Sequence, residues 1–291
     1  MATSAKIVLG STTKWGSKVR TYELTYPRLI HAEIMTYRMF SRNTASSRAI
    51  PVDKFIDSLA YTPDELFERL GLNQSGMQAQ ETQLTEKEYS ILAKGFVNYR
   101  NDIISFVKLC QSLNLHKQII NRFIEPLMHI TCIVTATDMD NFFAQRCHPA
   151  AQPELQSLAF KMLKCEIDYP WDKSIIHHGD CHLPYLTDEE RSMLSMHDKK
   201  KISVARVASV SYVKHGEGLD KDKCFRIFDK LLAGGHWSPF EHVCSPGSPN
   251  QKDTYSGNLK GWSQYRKEFM SENRIEVDYN ELYATKPDWI V

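Results

Sequence analysis

Residues 127–155, LMHITCIVTATDMDNFFAQRCHPAAQPEL, mark a change of pattern in a chain that is otherwise helical on either side. LMHITCIVTAT is short and β-branched, which suits a strand or a buried turn. Asp138 can then cap a helix running through NFFAQR. Pro149 and Pro153 interrupt, after which ELQSLAFKML returns to helical spacing.

Upstream, Thr85 and Glu88 form a capping box that opens a long amphipathic stretch to Leu113, and LHKQIINRFIEP continues helically until Pro126 stops it. Thr62, Pro63 and Glu65 repeat the capping signature, with Gly71 as terminator, for a short helix. NQSGMQAQ after it is irregular. At the start, AKIVLG and SKVRTYELTY alternate apolar and polar residues around Gly10 and Gly16, the pattern of two strands joined by a turn. Pro27 suits a first helical position and Ile30, Ile34 and Arg38 share a stripe, so a helix is expected over Pro27 to Phe40. SRNTASSRAIP then reads as a loop.

Downstream, Thr187 and Glu190 form a third capping box, VARVASVSY is helical or buried, and KCFRIFDKLLAGG is an amphipathic helix ending in glycines. HWSPFEH follows at once, and GWSQYRKEF is the aromatic cluster of a polar tail. With no repeat or low-complexity linker, a single domain over residues 1–291 is expected.

Thirty-six Lys plus Arg oppose thirty-five Asp plus Glu, a formal charge of +1, so no global field recruits nucleic acid or an anionic membrane. Ile130 to Ala136 is far short of the ~20 apolar residues that span a bilayer, and Met1 to Gly10 lacks an apolar core for export. A soluble cytoplasmic protein is expected. Seven cysteines with no CxxC pair suggest reduced thiols. His177, His178 and His182 lie around Asp180 and Cys181 and could ligate a metal. A polar turn before Pro184, with His182 hydrogen-bonded to backbone, is the favoured reading, and no metal is expected.

Three segments carry chemistry. In YRMFSRNTASSRA, Arg38, Arg42 and Arg48 alternate with Ser41, Thr44, Ser46 and Ser47, the donors that a phosphate dianion requires; a solvated polar loop is the alternative. Arg122 and Arg146 sit among apolar residues expected to be buried, so each needs an anionic ligand or a partner such as Glu125 or Glu154. In GGHWSPFEH, His236 and Glu241 flank a rigid turn after a helix stop, either presenting an imidazole or closing a capped corner. There is no GxGxxG, P-loop or GxSxG elbow, so a nucleotide or flavin would be held by side chains.

Together, FSRNTASSRAIP, TATDMDNFFAQRCHPAAQPEL, ARVASVSY and GGHWSPFEH resemble the flavin-dependent thymidylate synthase family, especially its longer phage members. The similarity leaves out the N-terminal hairpin, residues 62–83 and the last residues. In better-known members the ARxSY and HxSPFEH segments precede the RHRxxSxNExSxR signature; here they follow it, as in a circular permutation. Arg38, Ser41, Asn43, Ser46 and Arg48 match the signature, whereas Thr36 and Tyr37 replace the Arg and His of RHR and Thr44 its Glu. Arg146, Gln152 and Glu154 match RxxxxAQxE.

The resemblance implies an α/β (α+β) fold with a large helical segment and an antiparallel or mixed sheet. It implies a homotetramer with sites between subunits. The expected reaction converts dUMP to dTMP with methylenetetrahydrofolate as carbon donor and hydride from FAD reduced by NADPH. Arg146 would polarise the uracil, as an oxyanion donor does. Arg38, Ser46, Ser47, Arg48, Arg122, Gln264 and Arg266 join it as substrate contacts. Arg38, Ser41, Asn43, Thr135, Thr137, Asn141, His236 and Glu241 are the implied cofactor contacts. The alternatives are hydroxymethylation or methylation of dUMP or dCMP for a modified viral genome, and a non-catalytic flavin or nucleotide binder.

Overall fold

The computed structural model describes residues 2–177, 179–210, 219–269 and 278–287. Its centre is an antiparallel sheet of order β1-β2-β4-β3, formed by β1 (Ser4–Thr12), β2 (Lys18–Pro27), β3 (Ser41–Thr44) and β4 (His129–Ala136). β1 and β2 are the expected hairpin, and Gly16 supplies the positive φ (90°) that its turn needs. LMHITCIVTAT is a strand, β4, paired on both sides.

One face of this sheet is apolar by simple alternation. Tyr22, Leu24 and Tyr26 of β2 and Ile130, Cys132 and Val134 of β4 are buried there. Ile34 from α1 (His31–Met35), Phe142 from α5 (Asp140–Arg146) and Leu155, Leu158 and Met162 from α6 (Pro153–Asp168) cover them. Each fully buried side chain of this size contributes about 1.5–3 kcal/mol, so this face holds the N-terminal half together.

A second core joins α2 (Val52–Ile56), the long α3 (Glu86–Ser112) and α4 (Lys117–Ile124). The Thr85 box caps α3, with Thr85 N donating to Glu88 Oε2 at 2.9 Å. Asn114, at φ 56°, turns the chain into α4. A third core packs α8 (Met196–Ala208) and α9 (Lys221–Ala233) against Phe240, Val243 and Tyr265. The Thr187 box caps α7 (Asp188–Met193) as expected. The short strands β5 (Cys244–Pro246) and β6 (Trp262–Gln264) pair antiparallel, and Trp262 and Cys244 pack on Val19 of β2. Helices and antiparallel sheet are segregated, which makes this an α+β fold.

Four local expectations are corrected. Pro27 ends β2 opposite His129, where its missing N–H is tolerated, so the helix expected over Pro27 to Phe40 shrinks to His31–Met35. The loop expected at Ser41 begins as β3, because Ser41 to Thr44 pair with β4. The Thr62 box closes only a single 3₁₀ turn, Pro63–Glu65. Asp138 does not cap α5; its carboxylate accepts from Tyr255 Oη at 2.6 Å. Ser211 and Tyr212 of the ARVASVSY segment lie outside the described residues.

Candidate functional site

The second face of the sheet is polar where the C-terminal half covers it. Thr21, Thr135 and Ser41 lie side by side on three strands, since Thr135 is the register partner of both others. The Thr21 and Thr135 hydroxyls are 2.6 Å apart. His182 bridges Ser11 Oγ through Nδ1 (2.9 Å) and Thr21 Oγ1 through Nε2 (2.8 Å). His242 Nδ1 lies 2.8 Å from Thr135 Oγ1. Burial pushes both imidazoles down to about 3; neighbouring positive charge adds to this at His182, and the nearby Arg42 backbone partly opposes it at His242. Both rings are neutral at physiological pH, and the hydroxyls supply complementary donors and acceptors. His242 Nε2 is enclosed and lacks a hydrogen bond of ordinary geometry.

The row ends at Ser41, where segments more than 200 residues apart meet. Gln264 Nε2 donates to Ser41 Oγ (3.1 Å) and to Asn258 Oδ1 (2.6 Å), and Ser41 Oγ donates to the same Asn258 oxygen (3.1 Å). Gly257 permits this: at φ 64°, a Cβ there would stand 2.5 Å from Gln264 Oε1. Beside it, Asn43 Nδ2 donates to the Val207 carbonyl (2.7 Å) and Asn43 Oδ1 accepts from Ser238 Oγ (3.4 Å). Ser238 opens the 3₁₀ turn Ser238–Glu241, and Glu241 is ion-paired with Arg266. The signature strand, the SPFE turn and the QYR segment therefore adjoin.

Arg146 reaches this region through aromatic packing. Its Nε donates to Tyr37 Oη and its guanidinium lies 5.3 Å from the Tyr37 ring centroid. Tyr37 stacks on Phe40, which directly precedes Ser41, and meets Phe142 edge-on. At the other end of β3, Glu125 collects Ser47 Oγ (2.7 Å), Arg28 (3.0 Å) and Arg122 (3.1 Å). Asn121 Nδ2 fixes the same loop by donating to the carbonyls of Ser47 (2.6 Å) and Ile50 (3.1 Å). Ser46 is half-buried in this loop, while Arg38 and Arg48 are exposed and make no ion pair among the described residues.

Several assignments move. Arg122 is exposed rather than buried, and Glu125 neutralises it. Glu154 is buried but accepts from Glu68 N and Gln152 Nε2, so it does not pair with Arg146. Asn141 is exposed and accepts from Gln145 (3.0 Å), and Thr137 Oγ1 accepts from Lys260 N (2.9 Å). His236 is exposed, with its ring against Gly234; no contact draws it or Asn141 to the Ser41 cluster. His182 bonds hydroxyls through its ring instead of backbone. His177 and Asp180 form the expected polar turn, with His178 outside the described residues. Among the described residues, no group of three or more His, Cys, Asp or Glu is placed to hold a metal ion. Nor is any helix there long and apolar enough to cross a membrane. From the sequence, Asn258 and His242 carry no role, and of these two only His242 lies inside a quoted motif; Tyr37 enters only as the replacement for the His of RHR, and Glu125 only as a candidate ion-pair partner.

No protein-family model and no curated protein matches the chain. Among solved structures it is similar to the UMP/dUMP methylase PolB from Streptomyces cacaoi. The form bound with 5-Br UMP aligns at TM-score 0.45 and 13% identity over 60% of this chain and 90% of that one. The form bound with 5-Br dUMP aligns at TM-score 0.42 and 12% identity over 54% and 67%.

Proposed function

We propose that this chain is a pyrimidine deoxynucleotide C5 methyltransferase of the flavin-dependent thymidylate synthase type, converting dUMP to dTMP. The observation that carries the reading is the convergence at β3. Ser41 and Asn43 of the signature touch Gln264 and Ser238, from the segments that the resemblance pairs with them despite the altered chain order. The donor set fits anionic ligands: Arg38 and Arg48 offer guanidinium forks free of ion pairs among the described residues, the geometry that phosphates take.

In this reading Arg38 and Arg48 bind phosphate, and the Ser46 and Ser47 hydroxyls add donors. Arg146, oriented by Tyr37, faces the uracil and stabilises negative charge on its carbonyl. Glu241 holds Arg266 in place, and Ser41, Asn43 and Gln264 form an amide and hydroxyl rim. Bound FAD would supply the hydride that completes the methyl group, renewed by NADPH, with methylenetetrahydrofolate as carbon source. Assembly as a homotetramer is part of the proposal. It is supported by the apolar side chains that α3 and α4 leave exposed, among them Phe106, Leu109 and Ile119.

The test is direct. The purified protein should show flavin absorbance and release tritium from C5-labelled dUMP with methylenetetrahydrofolate and NADPH. A colourless protein that releases tritium from neither dUMP nor dCMP would sink the proposal. Release without NADPH would instead point to hydroxymethylation.

A further inference from the structure

Helical spacing carries one charged residue of α3 inward. Phe96, Ile103, Ile104 and Val107 stand three, four or seven residues from Arg100 and pack into the second core, so the arginine between them is buried along with them. Arg100 keeps only 8% of its surface, whereas Arg38 and Arg48 are exposed.

Its guanidinium lies over the Tyr61 ring, 3.9 Å from the centroid, and makes no hydrogen bond or ion pair among the described residues. Nε is shut off from solvent without an acceptor, while the two terminal nitrogens still reach the surface. The carboxylates that follow Tyr61 are engaged elsewhere. Asp64 accepts from Tyr89 Oη, and Glu65 accepts from the backbone N–H groups of Tyr61 (2.9 Å) and Thr62 (3.2 Å). Buried charges are normally paired, and a guanidinium held over an aromatic ring still offers N–H donors to two oxygens of one anion.

We propose that Arg100 is the centre of an oxyanion site where α3 meets residues 61–65, taking a small phosphate or carboxylate through its terminal N–H groups. The apolar side chains around Arg100 exclude the water that would screen its charge, so an anion reaching those nitrogens is held more strongly than at an exposed arginine. The bound anion also answers the charge that Tyr61 alone leaves uncompensated. The site is independent of the methyltransferase reading, which places its phosphate at Arg38 and Arg48, and stands or falls separately from it.

Equilibrium dialysis of the full chain against labelled inorganic phosphate or labelled acetate, in a low-salt Tris buffer, tests this. At least one of the two should bind saturably with a dissociation constant of about 1 mM or tighter, and whichever binds identifies the headgroup. Arg100→Met replaces a long charged side chain with a long apolar one and should remove one bound anion per chain. Arg100→Lys, the milder change, keeps the charge but not the fork and should weaken that anion about tenfold. Arg38→Ala combined with Arg48→Ala should leave it in place; its loss there would assign the anion to the nucleotide site and overturn the proposal. So would saturable binding of neither anion, the same number of bound anions in wild type and Arg100→Met, or unchanged affinity in Arg100→Lys.

Discussion

Lowering the pH from 7.5 to 5.5 should destabilise the folded protein through His182 and His242, which stay neutral in it while the unfolded chain takes up their protons. Unfolded, these imidazoles take up protons near 6.5; folded, burial holds both to about 3. Between those values the unfolded chain binds more protons, so the stability they confer is complete above about 6.5 and is lost as the pH falls. For one such histidine the loss between pH 7.5 and 5.5 is about 1.4 kcal/mol, and for two about 3 kcal/mol. With a urea dependence of about 3 kcal/mol per molar, the unfolding midpoint should fall by about 1 M. His31 and His129, also shifted down by burial, contribute equally in wild type and variants, so the difference between proteins is the quantity to read. Urea titrations at both pH values should show the pH shift reduced by about 0.5 M in His242→Gln and by about 1 M when His182→Gln is added. An identical pH shift in wild type and double variant would refute the neutral buried pair.

Three further outcomes follow from the site. Arg146→Ala should abolish tritium release from C5-labelled dUMP while leaving the circular dichroism spectrum unchanged; Tyr37→Phe, which removes only the acceptor, should lower the rate about tenfold or less. Gln264→Ala strips Ser41 and Asn258 of a buried donor and should cost about 1–3 kcal/mol, read as a lower thermal midpoint. Phe106→Glu together with Leu109→Glu should lower the mass measured by light scattering, because both side chains stand exposed on α3.

What could be read from the chain was set by how local its cause is. The β1–β2 hairpin and the boxes at Thr85 and Thr187 depend on neighbours a few residues away, and all three appear where expected. β3 failed because its stability is not local. Ser41 and Asn43 are small polar residues with no apolar alternation, and they are satisfied by Asn258, Gln264 and the Val207 carbonyl, more than 160 residues distant. Pro27 misled for a related reason, since its preference for a helix start yields to a strand register set by His129. At the candidate site, the resemblance drew Ser41, Asn43, Glu241 and Arg266 into view and Glu125 was readable as a partner for Arg122, whereas Asn258 lies in a stretch whose composition says nothing about its partners. Arg122 shows the opposite error: an arginine beside apolar residues projects outward as readily as inward, and Glu125 three residues on already satisfies it.

The polar row explains why so much of the candidate site lies at one end of β3. An apolar interface between the sheet and the C-terminal half could slide by a fraction of a side chain at little cost, because dispersion contacts are not directional. Hydrogen bonds from His182 to Thr21 and from His242 to Thr135 are directional, and buried donors and acceptors lose about 1–3 kcal/mol each when they are mismatched. The row therefore sets the register of one half over the other. His242 directly follows Glu241 in sequence, so fixing its ring on Thr135 also fixes the turn whose Ser238 meets Asn43 and whose Glu241 holds Arg266. Thr135→Val keeps the shape and removes the oxygen, so it should loosen the turn more than its small change in volume would. In the methyltransferase reading, nucleotide affinity should then fall before the thermal midpoint falls far, whereas a row that served stability alone would lose both in step.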